Sequence, residues 1–267
     1  MIYFSSLLKS NEAYKPAADR LFAALESHGI PYSFIENTRD IWVRDFMPIQ
    51  TKSGKYISFR YEASYLEDTP ELRTDYRKEI APQFPLENLI YSDINLDGGN
   101  IVFSPSREKA VISDRIFMEN WEYSSAELVQ ELERLLEAQV IIIPSLRSDM
   151  TGHADGMVRF VNENTAVINR TPFRYGLEMQ IKIVLRNHGI EVYDIPYFDS
   201  KGDSAMGCYL NFLETEQALL LPVFGVDIDN EAIETAKDVF NRIIVPINVN
   251  EIAADGGVLN CISWEDY

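Results

Sequence analysis

The chain has 267 residues, 46% hydrophobic and 25% charged, with 42 acidic against 24 basic side chains and a formal net charge of −18. Those proportions are ordinary for a globular protein with a sizeable core, and the acidic balance argues against nucleic acid, whose phosphates want Lys and Arg clusters, while suiting a small cationic ligand. Two cysteines make no disulfide framework, no His or Cys pair stands at metal-ligand spacing, and neither a Walker loop nor a dinucleotide fingerprint occurs, so no metal or cofactor is expected. The stretch Met1–Lys9 has no basic start and no long apolar run, which predicts a cytoplasmic protein with neither signal peptide nor membrane span.

In chain order, Ile2–Ser5 reads as a strand, followed by a helix over 16–28 that places Leu21, Phe22 and Leu25 on one face. Pro31–Ile35 is a strand, and Ile41–Gln50 pairs with Tyr56–Tyr61 across Thr51-Lys52-Ser53-Gly54, leaving Asp45 in an otherwise apolar strand. A less regular helix over 71–83 ends near Pro82 and leads to the strand Leu89–Tyr91. Ile101–Phe103 pairs with Ala110–Ser113. The helix 126–138 aligns Leu128, Val129, Leu132, Leu135 and Leu136 behind a Ser124/Glu127 capping box, and Val140–Ile143 follows as a strand. Met157–Val161 pairs with Thr165–Asn169, then come a helix over 176–187 and the strand Ile190–Ile195. Tyr209–Glu214 pairs with Gln217–Pro222, and Cys208 reads as a structural thiol in a strand. The last helix, 231–241, is capped by Asp229 or Asn230 and precedes the strand Ile243–Ile247. His28 and His188 end helices and interact with the dipole.

One unit thus recurs five times: helix, apolar strand, a loop with a polar or glycine motif, then a hairpin. The motifs are Trp42-Val43-Arg44-Asp45, Asp97-Gly98-Gly99-Asn100, His153-Ala154-Asp155, Asn211, and Gly256-Gly257 leading to Cys261. They lie roughly 50–60 residues apart, a period suited to a propeller-like array. Five units closing head to tail, with Ile2–Ser5 completing the fifth hairpin, bring every motif to one end of a central axis. Nothing in the composition splits the chain, so residues 1–267 read as one domain.

Thiol, imidazole and carboxylate beside glycines are the parts of a nucleophilic site. Cys261, His153 and Asp155 supply them, and Asp45 and Asp97, in similar settings, suggest a cationic substrate. Gly257 lets the backbone approach a ligand. Arg44 and Arg159 read as structural, and the run Glu62, Glu67, Asp68 and Glu71 as a solvated face.

Taken in order, Trp42-x-Arg44-Asp45, Leu96-Asp97-Gly98-Gly99-Asn100, Gly152-His153-x-Asp155-Gly156 with Arg159-Phe160, Tyr209-x-Asn211-Phe212 and Gly256-Gly257-x-x-Asn260-Cys261 resemble the agmatine deiminase and bacterial peptidylarginine deiminase family, over about residues 37–263. One departure is Asn260, where agmatine deiminases usually carry His. The resemblance implies a five-bladed, pseudo-symmetric α/β propeller and a hydrolase acting on a guanidinium. Cys261 would attack the central carbon, His153 would move protons, and Asp45 and Asp155 would hold the planar cation. Trp42 would stack on the aliphatic stem or the cationic group. Asp97 and Asn211 would contact the far end of the substrate or brace the loops, or Asp97 would orient His153. Agmatine is the leading substrate, giving ammonia and N-carbamoylputrescine. Peptidylarginine deimination, amidino transfer and a non-catalytic guanidinium-binding module are the alternatives. The sequence does not choose between a monomer and a homo-oligomer.

Overall fold

Each blade is a three-stranded sheet in which a central strand pairs antiparallel with one neighbour and parallel with the other. The computed structural model describes residues 1–170, 176–200, 202 and 204–266. In the first blade, β1 (Ile2–Ser5) is followed by α1 (Leu7–Ser10) and α2 (Lys15–Ser27), which crosses to the parallel β2 (Tyr32–Ile35). The second begins with a single turn, α3 (Val43–Phe46), then β3 (Ile49–Gln50), β4 (Tyr56–Arg60) and β5 (Leu89–Asn95). The third holds β6 (Ile101–Phe103), β7 (Lys109–Ser113), α4 (Arg115–Glu119), α5 (Ser125–Leu136) and β8 (Gln139–Ile143). The fourth holds β9 (Val158–Asn162), β10 (Thr165–Arg170), α6 (Leu177–Asn187) and β11 (Glu191–Pro196). The fifth holds β12 (Leu213–Glu214), β13 (Leu219–Val223), α7 (Ile228–Phe240) and β14 (Ile244–Asn248), followed by α8 (Asn250–Ala253). Finally β15 (Ser263–Glu265) pairs antiparallel with β1, Tyr3 opposite Trp264. Both ends of the chain therefore build the first blade, which closes a five-bladed α/β propeller as the repeat predicts.

Apolar seams hold the blades together. Phe4, Leu21 and Leu25 of the first blade share a buried cluster with Leu219, Ala232 and Phe240 of the fifth. Ile57 of the second joins Ile112, Leu128 and Leu132 of the third. Trp264 is 2% exposed, packs with Val43, Phe46 and Tyr76, and donates its indole N–H to the Pro48 carbonyl at 2.8 Å. Fully burying one such side chain contributes about 1.5–3 kcal/mol, against about 1 kcal/mol net for a hydrogen bond, so the seams dominate ring closure.

The amphipathic helices fall where the periodicity puts them, and the Ser124/Glu127 capping box forms. Several local expectations are corrected. Only Ile49–Gln50 of 41–50 is strand, and Asp45 stands on the helical turn α3, which directs a buried carboxylate toward the axis. Only Leu213–Glu214 of 209–214 is strand, so Cys208 lies in a turn. The stretch 71–83 breaks into a 3₁₀ turn, Pro70–Leu72, and one π-helical turn, Tyr76–Ile80, capped at its start by the Asp75 side chain, which accepts the Lys78 N–H. Helix α7 begins at Ile228 rather than at an Asp229 cap. The Asp229 carboxylate instead takes the N–H groups of Phe224, Gly225 and Val226 and the Tyr209 hydroxyl. His28 and His188 each place Nδ1 2.8 Å from a carbonyl of the last helical turn, as read from the sequence.

Candidate active site

Each of the five motifs shortly precedes the edge strand that pairs antiparallel with the central strand of its blade. Head-to-tail closure therefore brings them together, and hydrogen bonds link each to the next around the axis. The Arg44 N–H donates to the Cys261 carbonyl at 3.1 Å and the Gly99 N–H to Asp45 Oδ1 at 3.1 Å. The Ala154 N–H donates to Asn100 Oδ1 at 3.2 Å and the Cys208 thiol to the Gly156 carbonyl at 3.5 Å. Asn211 closes the circuit, its side-chain oxygen accepting the Cys261 N–H at 3.2 Å and its carbonyl the Asn260 N–H at 3.1 Å. Two glycines make the approach possible. A Cβ on Gly99 would stand 2.6 Å from His153 Nδ1, and one on Gly257 would enter the Trp42 ring.

His153 is buried between two carboxylates. Its Nε2 lies 2.8 Å from Asp97 Oδ2 and its Nδ1 3.7 Å from Asp45 Oδ1. The Tyr65 hydroxyl donates to the same Asp97 oxygen at 2.9 Å, and its ring meets His153 edge-on at 6.0 Å. Burial by itself lowers the imidazole pKa, but Asp45 and Asp97 outweigh it and raise it to about 10, so His153 is a cation at neutral pH. Burial pushes the Asp45 carboxyl up to about 7, against the downward pull of the His153 cation.

On the other side stands Cys261. Its sulfur lies 3.9 Å from Asp155 Oδ2, an oxygen that also accepts the Asn260 amide at 2.7 Å. Burial first, then Asp155 and Asp45, hold the thiol well above its usual range. Oδ2 of Asp45 and Oδ1 of Asp155 take no hydrogen bond from the described residues.

Trp42, Asp45, His153, Asp155, Asn211, Gly257 and Cys261 all line one cavity of about 260 Å³. Asp97 does not. It lies behind His153, which favours the orienting role over contact with a ligand. Arg44 pairs with Glu265, and Arg159 packs on the Phe212 ring at 4.2 Å, both outside the cavity. The acidic run from Glu62 to Glu71 stays on the surface. Sequence reading missed Tyr61 and Tyr65, which carry no motif and lie just before and within that run, and Cys208, which also lines the cavity. It recorded Asn260 only as a departure, although that amide fixes Asp155.

Because Asp97 is the nearest carboxylate to the imidazole, Asp97→Asn should lower the His153 pKa markedly. A raised histidine pKa contributes stability that is fully present below about 6.5 and is lost as pH rises through about 10. The variant should therefore be less stable than the parent at and below about pH 6.5, and the gap should close as pH rises through about 10. Titrating the ring protons by NMR, with only three histidines to assign, checks it.

The five-bladed α/β propeller is the fold this chain shares with several solved structures. An agmatine deiminase from Enterococcus faecalis superposes with a TM-score of 0.78 at 15% identity, covering 98% of this chain and 92% of that one. A C. jejuni agmatine deiminase with substrate bound gives 0.75 at 17% identity, covering 98% and 92%. A dimethylarginine dimethylaminohydrolase (DDAH) from Pseudomonas aeruginosa gives 0.62 at 13% identity, covering 98% and 97%. Among curated sequences, a Streptococcus mutans protein named "Putative agmatine deiminase" is 34% identical over 66 residues, 24% of this chain and 18% of that protein. The model of the Porphyromonas-type peptidyl-arginine deiminase family matches residues 6–266, and the chain belongs to that family.

Proposed function

We propose that this protein is a deiminase that hydrolyses the guanidinium of a small cationic substrate, with agmatine the leading candidate. One observation carries the reading. Asp45, Asp149, Asp155, Asp199 and Asp255 line the cavity that holds His153 and Cys261, and among the described residues no lysine or arginine does. Such a lining favours a cation and, among the described residues, offers an α-carboxylate no lysine or arginine to pair with. The open oxygens of Asp45 and Asp155 suit the N–H edges of a guanidinium, and charge-assisted pairs of that kind orient it firmly. Trp42, braced against Gly257, supplies an apolar wall for the stem.

The substrate's charge offsets Asp45 and Asp155, which with burial hold the proton on Cys261, so the thiol loses its proton to solvent when the substrate arrives. The thiolate attacks the guanidinium carbon and forms a C–S bond. The tetrahedral adduct collapses as His153 protonates one amine, breaking a C–N bond and releasing ammonia. A covalent S-alkylthiouronium remains. Water, deprotonated by His153, adds to its carbon. The C–S bond then breaks, giving the ureido product and restoring the thiol. Asp97 keeps His153 cationic, and Asn211 and Asn260 position Cys261 and Asp155. We read residues 1–267 as one such catalytic unit, working in the cytoplasm.

Purified protein should release ammonia from agmatine and form N-carbamoylputrescine, with arginine and arginine-ending peptides turned over at least about tenfold less efficiently, since they bring an unmatched carboxylate. Parallel kcat/KM measurements check it. A preference for the peptides would assign the site to peptidylarginine, and turnover of none would end the reading.

A further inference from the structure

The second blade carries another cavity, of about 440 Å³, walled off from the first by Tyr61, which lines both. Its character is opposite. In a chain of net charge −18, Arg39, Arg60, Arg73, Arg77 and Lys78 line it. They face three carboxylates: Glu62, Asp75 and Asp93. Several of these charges are already matched. Lys78 holds Asp75 at 2.6 Å, Arg39 pairs with Glu79, and Arg77 lies 3.8 Å from Asp93.

What remains is a set of donors. Ser58 Oγ, Arg60 Nε and Arg73 Nε are buried with no hydrogen-bond partner, and all three residues line this cavity. Ser58 is 1% exposed. Arg60 reaches Glu62 and Glu122 only through its terminal nitrogens, at 3.7 and 3.5 Å. Arg73 donates to the Ala63 carbonyl at 3.3 Å, and among the described residues it has no carboxylate partner. Buried donors without acceptors are costly unless something supplies the acceptor. Unpartnered donors on three residues that line one cavity, two of them on guanidinium forks, suit an anionic oxygen ligand.

The fold explains the space. Ser58 pairs with Tyr91 and Arg60 with Asn95, so β5 bulges between them and carries Asp93 outward. The crossover is the short pair of turns Pro70–Leu72 and Tyr76–Ile80, whereas the other four blades each have a crossover helix of 11 to 13 residues.

We propose that this cavity binds a small multivalent oxyanion of the phosphate class, held by Ser58, Arg60 and Arg73. The site is independent of the deiminase reading. Calorimetric titration of the full chain at fixed ionic strength, with inorganic phosphate, pyrophosphate and citrate in separate runs, tests it. Pyrophosphate should bind one to one, and Ser58→Ala and Arg73→Gln should each weaken it by about tenfold or more. Arg73→Lys keeps the charge but not the fork and should fall between; it carries the test if Arg73→Gln does not fold. Arg134→Gln, on the exposed face of α5, should change nothing. No heat from any anion, equal loss in Arg134→Gln, or undiminished binding in the Ser58 and Arg73 variants would overturn the proposal. Tighter binding of citrate than of pyrophosphate would overturn the phosphate class.

Discussion

Cys261→Ala should lower turnover of agmatine by roughly 10⁴-fold or more, the scale on which removing a covalent nucleophile is felt. The expectation follows from position. The sulfur faces Asp155 at 3.9 Å in the cavity that also holds His153 and Asp45. The fold should be untouched, because Cys261 is only half-buried and the Cys261 N–H that holds the loop to Asn211 belongs to the backbone. Cys261→Ser should behave alike in turnover yet keep the ligand contacts of Asp45 and Asp155, so agmatine should still bind. Quenched-reaction mass spectrometry gives a second readout: wild type should trap a substrate adduct on the Cys261 peptide and the serine variant none at that position. Full turnover in Cys261→Ala would remove the nucleophile from the mechanism.

Asp155→Asn should separate two properties that a purely structural role would move together. Turnover should fall by about 10³-fold, because one of the two carboxylates proposed to hold the cation becomes neutral. The thiol should move the other way. Burial and the Asp155 charge are the leading reasons that Cys261 keeps its proton. Removing the charge should shift the alkylation midpoint down by about one pH unit or more. Iodoacetamide at neutral pH should therefore modify Cys261 faster in a nearly inactive variant than in the parent. The Cys208 thiol, raised to about 12 by burial first and Asp155 next, should follow the same direction, so peptide mapping must distinguish the two cysteines. An unchanged alkylation profile beside lost turnover would show that Asp155 acts on the fold rather than on the charge of the site.

Much of this was legible in the residues. Helix periodicity marked α2, α5, α6 and α7 because each buries one stripe of apolar side chains against its sheet. The five motifs were legible because polar and glycine residues interrupt apolar runs at regular intervals. Asp45 was misplaced into a strand because its neighbours Val43 and Phe46 are buried for packing against Trp264. Tyr65 was invisible because its role depends on Asp97, 32 positions away, reaching the same imidazole.

The sequence by itself determined the repeat, the order of the motifs and the kinds of group on offer: a thiol, an imidazole, carboxylates and few cations to oppose them. Those are properties of composition and spacing, and spacing along a chain sets which strand each residue precedes. Only the tertiary structure decided which oxygen faces which proton. It put Asp97 behind His153 rather than in the cavity and set Asp155 against the thiol. It also left donors of Ser58, Arg60 and Arg73 without partners in residues that line a second cavity. Electrostatic effects depend on distance and burial, and across separate blades neither is written in the order of residues.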